Sequence, residues 1–325
     1  MALSTEITKT LELFSQMMIE KIETISTDWQ KPWFTENTLQ WPRNLAGREY
    51  NGMNAMMLLM HCEKEGYPVA RFCTFAALQR LNAPGQPLVS VLKGAKSFPV
   101  LLTTFTCVEK ETKVTIKYEE YKELSSEEKD NYNVYPKTHV FRVFNISQTN
   151  LAVSRPDLWE KLTQEIRPFR QPNDEFSLEV VDEMIGQDKW ICPVQVRHQD
   201  EAYYSVSKNE IVVPEKQQFR CGESFYGTLF HEMTHSTGAD GVLGRLKPAV
   251  FGSHDYAREE LVAELGSALM AHKYGFLNTI KEESCAYLKG WIKSLQQSPE
   301  YIKTVLTDVR KAVTLINHQL EQATE

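Results

Sequence analysis

The sequence predicts an α+β protein built in two parts, on three observations. Its 325 residues suffice for two domains of ordinary size. Apolar residues at helical spacing and short alternating β runs occur in both halves. Between the halves, residues 151–173 carry Ser154-Arg155-Pro156, Arg167-Pro168 and Gln171-Pro172-Asn173, proline breaks around a short helix over 157–166. The expected domains are therefore 1–150 and 174–325, with 151–173 as linker.

Composition narrows the class. Hydrophobic residues make up 42% and charged residues 24%, as in a folded soluble protein, and the formal net charge of −7 argues against a general nucleic-acid binder. Six cysteines stand without a CxxC pair, so reduced thiols are expected, with neither a disulfide framework nor a cysteine zinc site. The N-terminal stretch has acidic residues and helical spacing, unlike a signal peptide, and no run reaches the ~18 apolar residues of a membrane span. A cytoplasmic protein with no membrane partner is expected.

In the first half, residues 5–25 read as an amphipathic helix. Three tryptophans (Trp29, Trp33, Trp41) follow in a stretch broken by Pro32 and Pro42. Interleaved with Lys31, Arg43 and Arg48, they fit either of two roles: stacking platforms for single-stranded nucleic acid, or plugs of a core. Asn54 is expected to cap a helix over 55–65 that ends at Gly66, and Thr74 to cap a second short helix. Lys93-Gly94-Ala95-Lys96 reads as a basic turn, Phe98 to Thr106 as a β run, and Thr138 to Ile146 as an alternating strand. From 31 to 107, eight basic residues meet four acidic ones. From 109 to 130, five lysines meet eight acids, as in a solvated insertion. The tryptophan-bearing region is thus mildly basic within an acidic chain, which permits DNA contact.

In the second half, a helix is expected over 175–185, a short strand over 193–196, and a strand–turn–strand over 202–214 turning at Lys208-Asn209. The chemistry concentrates in His231-Glu232-Met233-Thr234-His235. Four residues apart on a helix, His231 and His235 can aim two imidazoles at one point, with Glu232 beside them. This is the donor set of a zinc hydrolase, the glutamate acting as general base. Tetrahedral zinc needs a third protein ligand. His254 is one option; Glu260 and Glu264 are better, because they share a face of a largely apolar helix from Arg258 to Leu269 lined by small residues. One of them can bind metal while the other orients a histidine through its ring N–H. The helices beyond 272 read as core.

These motifs carry a family resemblance. W-x-K-P-W, P-R-N-L-A-G-R-x-Y-x-G-x-N-A, K-G-A-K and V-F-N-x-S-Q-T, in order over residues 25–150, resemble the N-terminal domain of the ArdC antirestriction family. H-E-M-T-H-S-T-G followed by F-G-S-x-x-Y-A-R-E-E-L-V-A-E-L-G is similar to that family's zincin-like, gluzincin-type C-terminal domain. The resemblance implies an antirestriction protein with two functions: a single-stranded-DNA-binding module and a zinc metallopeptidase domain acting on an unidentified protein, in a mobile element whose incoming DNA is shielded from host restriction. It implies one Zn2+ per chain, replaceable by Mn2+ or another divalent ion, held by His231, His235 and Glu260. Glu232 is the implied base. Glu264 remains the alternative ligand or the residue behind one, and Tyr256 or His254 the stabiliser of a polarised carbonyl. It assigns DNA contact to Trp29, Trp33, Arg43, Tyr50, Asn54, Lys93 and Lys96. The competing reading is a DNA-occluding protein whose metal domain is structural or unnecessary. A nuclease is disfavoured, since two-metal sites use more Asp and fewer His.

Overall fold

Apolar residues at helical intervals decide how α1 (Thr5–Ser26) seats. Ile7, Leu11, Phe14, Met18, Ile22 and Ile25 are all buried, while Glu12 and Glu23 face solvent. Each large side chain so buried contributes ~1.5–3 kcal/mol before ordering costs, more than helix propensity can supply. The computed structural model describes residues 4–26, 31–34, 41–164, 176–247, 253–279 and 283–323.

The N-terminal half continues with β1 (Arg43–Asn44), α2 (Gly52–Glu65), β2 (Arg71–Cys73), α3 (Phe75–Gln79), β3 (Phe98–Glu109), β4 (Thr115–Ile116), α4 (Tyr118–Glu123), α5 (Ser126–Lys129) and β5 (Tyr132–Asn145). Its five-stranded sheet runs β1-β2-β5-β3-β4. β1 pairs parallel to β2 and all other pairs are antiparallel. Thr74 caps α3 as expected, accepting from the Ala77 N–H at 3.1 Å. Asn54 does not cap α2. Asn51 takes the extended N-cap position, and Asn54, one turn inside, closes both amide hydrogen bonds onto the Leu101 backbone (2.6 and 2.8 Å). Gly66 ends α2 at φ 66°, where it has no Cβ to strain.

β3 and β5 form one ribbon, in register from Phe98↔Val143 to Glu109↔Tyr132. Both strands outrun the expected runs at 98–106 and 138–146. Their outer halves are mostly exposed, with Phe105 and Tyr135 left open to solvent among threonines, so they lack the burial alternation of a half-buried strand. The acidic stretch after Glu109 is the ribbon's tip, where Tyr118 of α4 stacks on Phe105 at 4.3 Å.

Of the expected linker, residues 151–164 are described. They form α6 (Leu151–Ser154) and α7 (Pro156–Thr163), whose Leu151 and Leu162 complete a small core with Cys73, Leu78, Val89 and Ile146. The rest of the linker lies outside the described residues.

The C-terminal half contains α8 (Glu179–Gly186), β6 (Val194–Arg197), β7 (Tyr203–Ser205), β8 (Glu210–Pro214), α9 (Gly222–Ser236), α10 (His254–Lys273), α11 (Leu288–Gln297) and α12 (Pro299–Ala323). β8 is central in a three-stranded sheet, parallel to β6 and antiparallel to β7. Among the described residues, the outer edge of β7 is therefore unpaired. Its turn places Asn209 at φ 50°, a left-handed position asparagine tolerates.

The two halves share one apolar core. α12 packs against α1 and α2 as well as α8, α9, α10 and α11. The architecture is mixed α+β. Among the described residues, no helix is long and apolar enough to cross a membrane.

α9 and α10 approach closely because of small residues. A Cβ on Gly266 of α10 would sit 2.7 Å from the Thr234 side chain of α9. Gly290 of α11, in contrast, has nothing within 4 Å of its missing Cβ. Gly266→Val should therefore destabilise the protein by ~1–3 kcal/mol through overpacking. Gly290→Ala should stabilise it by ~0.5–1 kcal/mol through helix propensity. Chemical denaturation of both variants measures the contrast, and equal effects would contradict this packing.

Candidate metal centre

α9 and α10 bring the two histidines and three glutamates together. His231 Nε2 and His235 Nε2 lie 3.1 Å apart. Glu260 places Oε2 3.5 Å from the first and Oε1 3.7 Å from the second. The donor atoms of His231, His235 and Glu260 all fall within 4.8 Å of one another.

The far side of each imidazole meets a different carboxylate. His235 Nδ1 lies 3.1 Å from Glu259 Oε1, and His231 Nδ1 lies 3.5 Å from Glu264 Oε1. The Glu259 carboxylate holds the His235 ring proton at Nδ1, which turns Nε2 of that ring toward the point bordered by His231 Nε2 and Glu260. The residues thus fit a divalent metal with three protein donors and a side open to the cleft. For His235, burial pushes the imidazole pKa down, but the Glu259 hydrogen bond and the charges of Glu260, Glu259 and Glu232 outweigh it, for a net rise.

Glu264 is separated from the convergence point by the His231 ring. Of the two carboxylates left open by the sequence, Glu260 is the one that borders the point. Glu232 is buried, lines the cleft, and lies near enough to Tyr256 for its charge to act there. Tyr256 is hydrogen-bonded to Glu260; burial first, then Glu260, raises its phenol pKa, so the hydroxyl stays protonated. His254 is not brought in: its side chain is 65% exposed beside Asp255, and the cleft lining begins at Asp255 and Tyr256.

Two residues escaped sequence reasoning. Glu259 has a pKa opposed by burial but lowered on balance by His235 and Arg245. Arg245 forks onto it, Nε to Oε2 and Nη2 to Oε1, each at 2.9 Å. The doublet Glu259-Glu260 was the available signal. The contribution of Arg245, from the loop after α9, had none.

The centre lies in a cleft of about 1530 Å³, walled on one side by Tyr203 and Tyr204 of β7 and on another by Thr304 and Asp308 of α12.

The proposed DNA residues are spread over the first half. Trp29 lies outside the described residues. Trp33 is corrected from platform to plug: it is 1% exposed within the shared core and presents no face to a base. Asn54 is likewise occupied with Leu101. Arg43 is half-buried and paired with Glu49 at 2.9 Å. Tyr50 is half-buried, edge-on to Phe72, with burial pushing its phenol pKa up to about 12. Lys93 and Lys96 are exposed on their turn.

A helix carrying His-Glu-x-x-His, packed against a carboxylate-bearing helix and beside a three-stranded sheet, defines a zincin-like fold. Residues 182–306 match the family model of a zincin-like metallopeptidase. Residues 8–144 match the N-terminal domain of the anti-restriction factor ArdC. The fold is that of the antirestriction protein ArdC from the R388 plasmid, solved metal-free and with Mn(II). Each structure gives a TM-score of 0.67, at 23% and 22% identity, over 95% of this chain and 98% of that one. The N-terminal half thus carries an ArdC-type N-terminal domain and the C-terminal half a zincin-like metallopeptidase domain. The chain is also 28% identical, over 306 residues, to a DNA primase TraC of Escherichia coli; the match takes in 92% of this chain but only 19% of the primase. An uncharacterized protein of Sinorhizobium fredii (strain NBRC 101917 / NGR234) is 23% identical over 96% of this chain and 92% of its own length.

Metal content, measured after dialysis against a divalent ion, should be one per chain. Glu260→Ala should abolish stoichiometric retention, whereas Glu264→Ala should retain the ion with affinity lowered ~10–100-fold. The reverse order would exchange the two roles.

Proposed function

We propose that this chain is a cytoplasmic antirestriction protein that binds single-stranded DNA and hydrolyses peptide bonds, protecting incoming mobile-element DNA from host restriction. The observation that carries the peptidase part is the convergence of two imidazole nitrogens and the Glu260 carboxylate next to buried Glu232, in a cleft lined by the sheet's outer strand β7. In this reading His231, His235 and Glu260 hold one Zn2+, or Mn2+ as in the related ArdC structure. A bound ion supplies Lewis acidity, polarising a carbonyl and lowering the pKa of water. Glu232 accepts the proton from the attacking water and later delivers it to the leaving amine. The Tyr256 hydroxyl, kept protonated, donates to the oxygen on which charge develops. The outer edge of β7 offers main-chain hydrogen bonds to an extended peptide, so the substrate is a protein segment in strand conformation.

Two observations support the DNA part. Lys93 and Lys96 lie exposed in a region richer in basic than acidic residues, and a relative over nearly the whole chain is named a DNA primase. Arg43, Tyr50 and Trp29 complete the proposed contact set; Trp33 and Asn54 drop out of it.

Glu232→Ala separates the roles. It should retain the metal while lowering peptide hydrolysis ~10²–10⁴-fold, the usual contribution of a general base. Undiminished protection of DNA by this variant would mean that occlusion, not proteolysis, is the mechanism. For DNA, tryptophan fluorescence should respond to a single-stranded oligonucleotide. Affinity should fall with salt, by about 0.7 log units per log unit of salt for each phosphate neutralised. Lys93→Glu with Lys96→Glu should weaken binding and flatten that slope; no response at low salt would remove the DNA reading.

A further inference from the structure

We propose that Arg245 and Glu259 are positioning residues for His235, forming a buried clamp on which metal affinity depends. The inference rests on the metal-centre reading and adds to it two residues that are not themselves ligands.

Glu259 precedes Glu260 on α10, so its side chain leaves the helix roughly 100° away from the converging face. It meets His235 at Nδ1 (3.1 Å), while Nε2 of the same ring faces His231. The two nitrogens point in divergent directions, so the ring itself separates Glu259 from the metal point. What Glu259 can do is hold the Nδ1 proton and fix the ring plane.

A carboxylate only 13% exposed keeps such an orientation if something fixes it in turn. Arg245, with a side chain 5% exposed, does so through both of its fork contacts. The same guanidinium donates to Thr237 Oγ1 at 2.8 Å and to the Thr234 carbonyl. Thr234 and Thr237 flank His235 at the end of α9. The contacts therefore close a ring: from α9 to Arg245, to Glu259, to His235 and back to α9. Gly238 makes room for it, since a Cβ there would lie 3.1 Å from Cγ and Cζ of Arg245 and 2.8 Å from Leu246.

The rival explanation is that Arg245 merely staples the end of α9. Zn2+ affinity of the full chain, measured by competition with a chromogenic chelator, tells the two apart when read beside the melting temperature of the metal-free protein. Arg245→Met and Glu259→Ala should each weaken Zn2+ binding ~10–100-fold. The double variant should be no weaker than Glu259→Ala alone, because Arg245 acts through Glu259. Arg245→Lys should recover only part of the loss, since lysine keeps the charge without the fork. Unchanged affinity in Glu259→Ala overturns the proposal. So does an Arg245→Met loss that is undiminished in the Glu259→Ala background, or one seen only in the melting temperature. Should Arg245→Met not fold, Arg245→Lys with and without Glu259→Gln decides the same question. Wild-type protein that binds no Zn2+ would sink the metal-centre reading itself, an outcome distinct from failure of the clamp.

Discussion

The 3.1 Å approach of two imidazole nitrogens is the constraint on which the C-terminal half depends. It is set by Glu259, hydrogen-bonded behind His235, by Glu264, 3.5 Å behind His231, and by the closeness of α10 to α9, which brings those carboxylates there. That closeness comes from Gly266 against Thr234, and from Ser267, whose hydroxyl donates to the Gly227 carbonyl at 2.6 Å. Removing a side chain at one position on α10 thus allows three glutamates at other positions on the same helix to reach their targets.

The first half is tied into this helix pair. The Trp33 N–H donates to the Asn278 carbonyl, and the Asn278 side chain donates to Ser267 Oγ at 2.6 Å. Asn278 fits only because Gly227 has no Cβ, which would lie 2.4 Å from its Oδ1. Burying Trp33 in the common core, with α12 spanning both halves, makes the halves depend on each other's packing. A tryptophan that looks available to DNA in the sequence is instead part of what keeps the metal helices in place.

Legibility in the sequence followed the range of the interaction. His231, Glu232 and His235 were readable because their relation is local, set by one turn of helix. Glu260 and Glu264 were readable as a pair for the same reason, but which of them borders the metal point depends on how α10 is rotated against α9, a tertiary quantity. Arg245 was not readable, because only the fold carries its loop back over Glu259. The outer ribbon was missed because strand pairing there buries little and leaves no alternation. The tryptophans were ambiguous because a large ring in an irregular stretch looks the same whether a core or a ligand is to cover it. Asn54 was misread as a cap for a related reason: its partner, Leu101, is on a strand distant in sequence.

Helix geometry also separates the carboxylate proposed for proton chemistry from the three proposed for structural or ligand duties. On α10, Glu260 and Glu264 are roughly 40° apart and address the two edges of one histidine, whereas Glu259 is roughly 100° back and addresses the other. On α9, Glu232 is turned by the same roughly 100° from His231, away from the ring of donors and onto the cleft wall. Ligand and base are therefore separated by rotation along a single helix. In the proposed reaction, that leaves its carboxylate directed at the substrate side of the cleft.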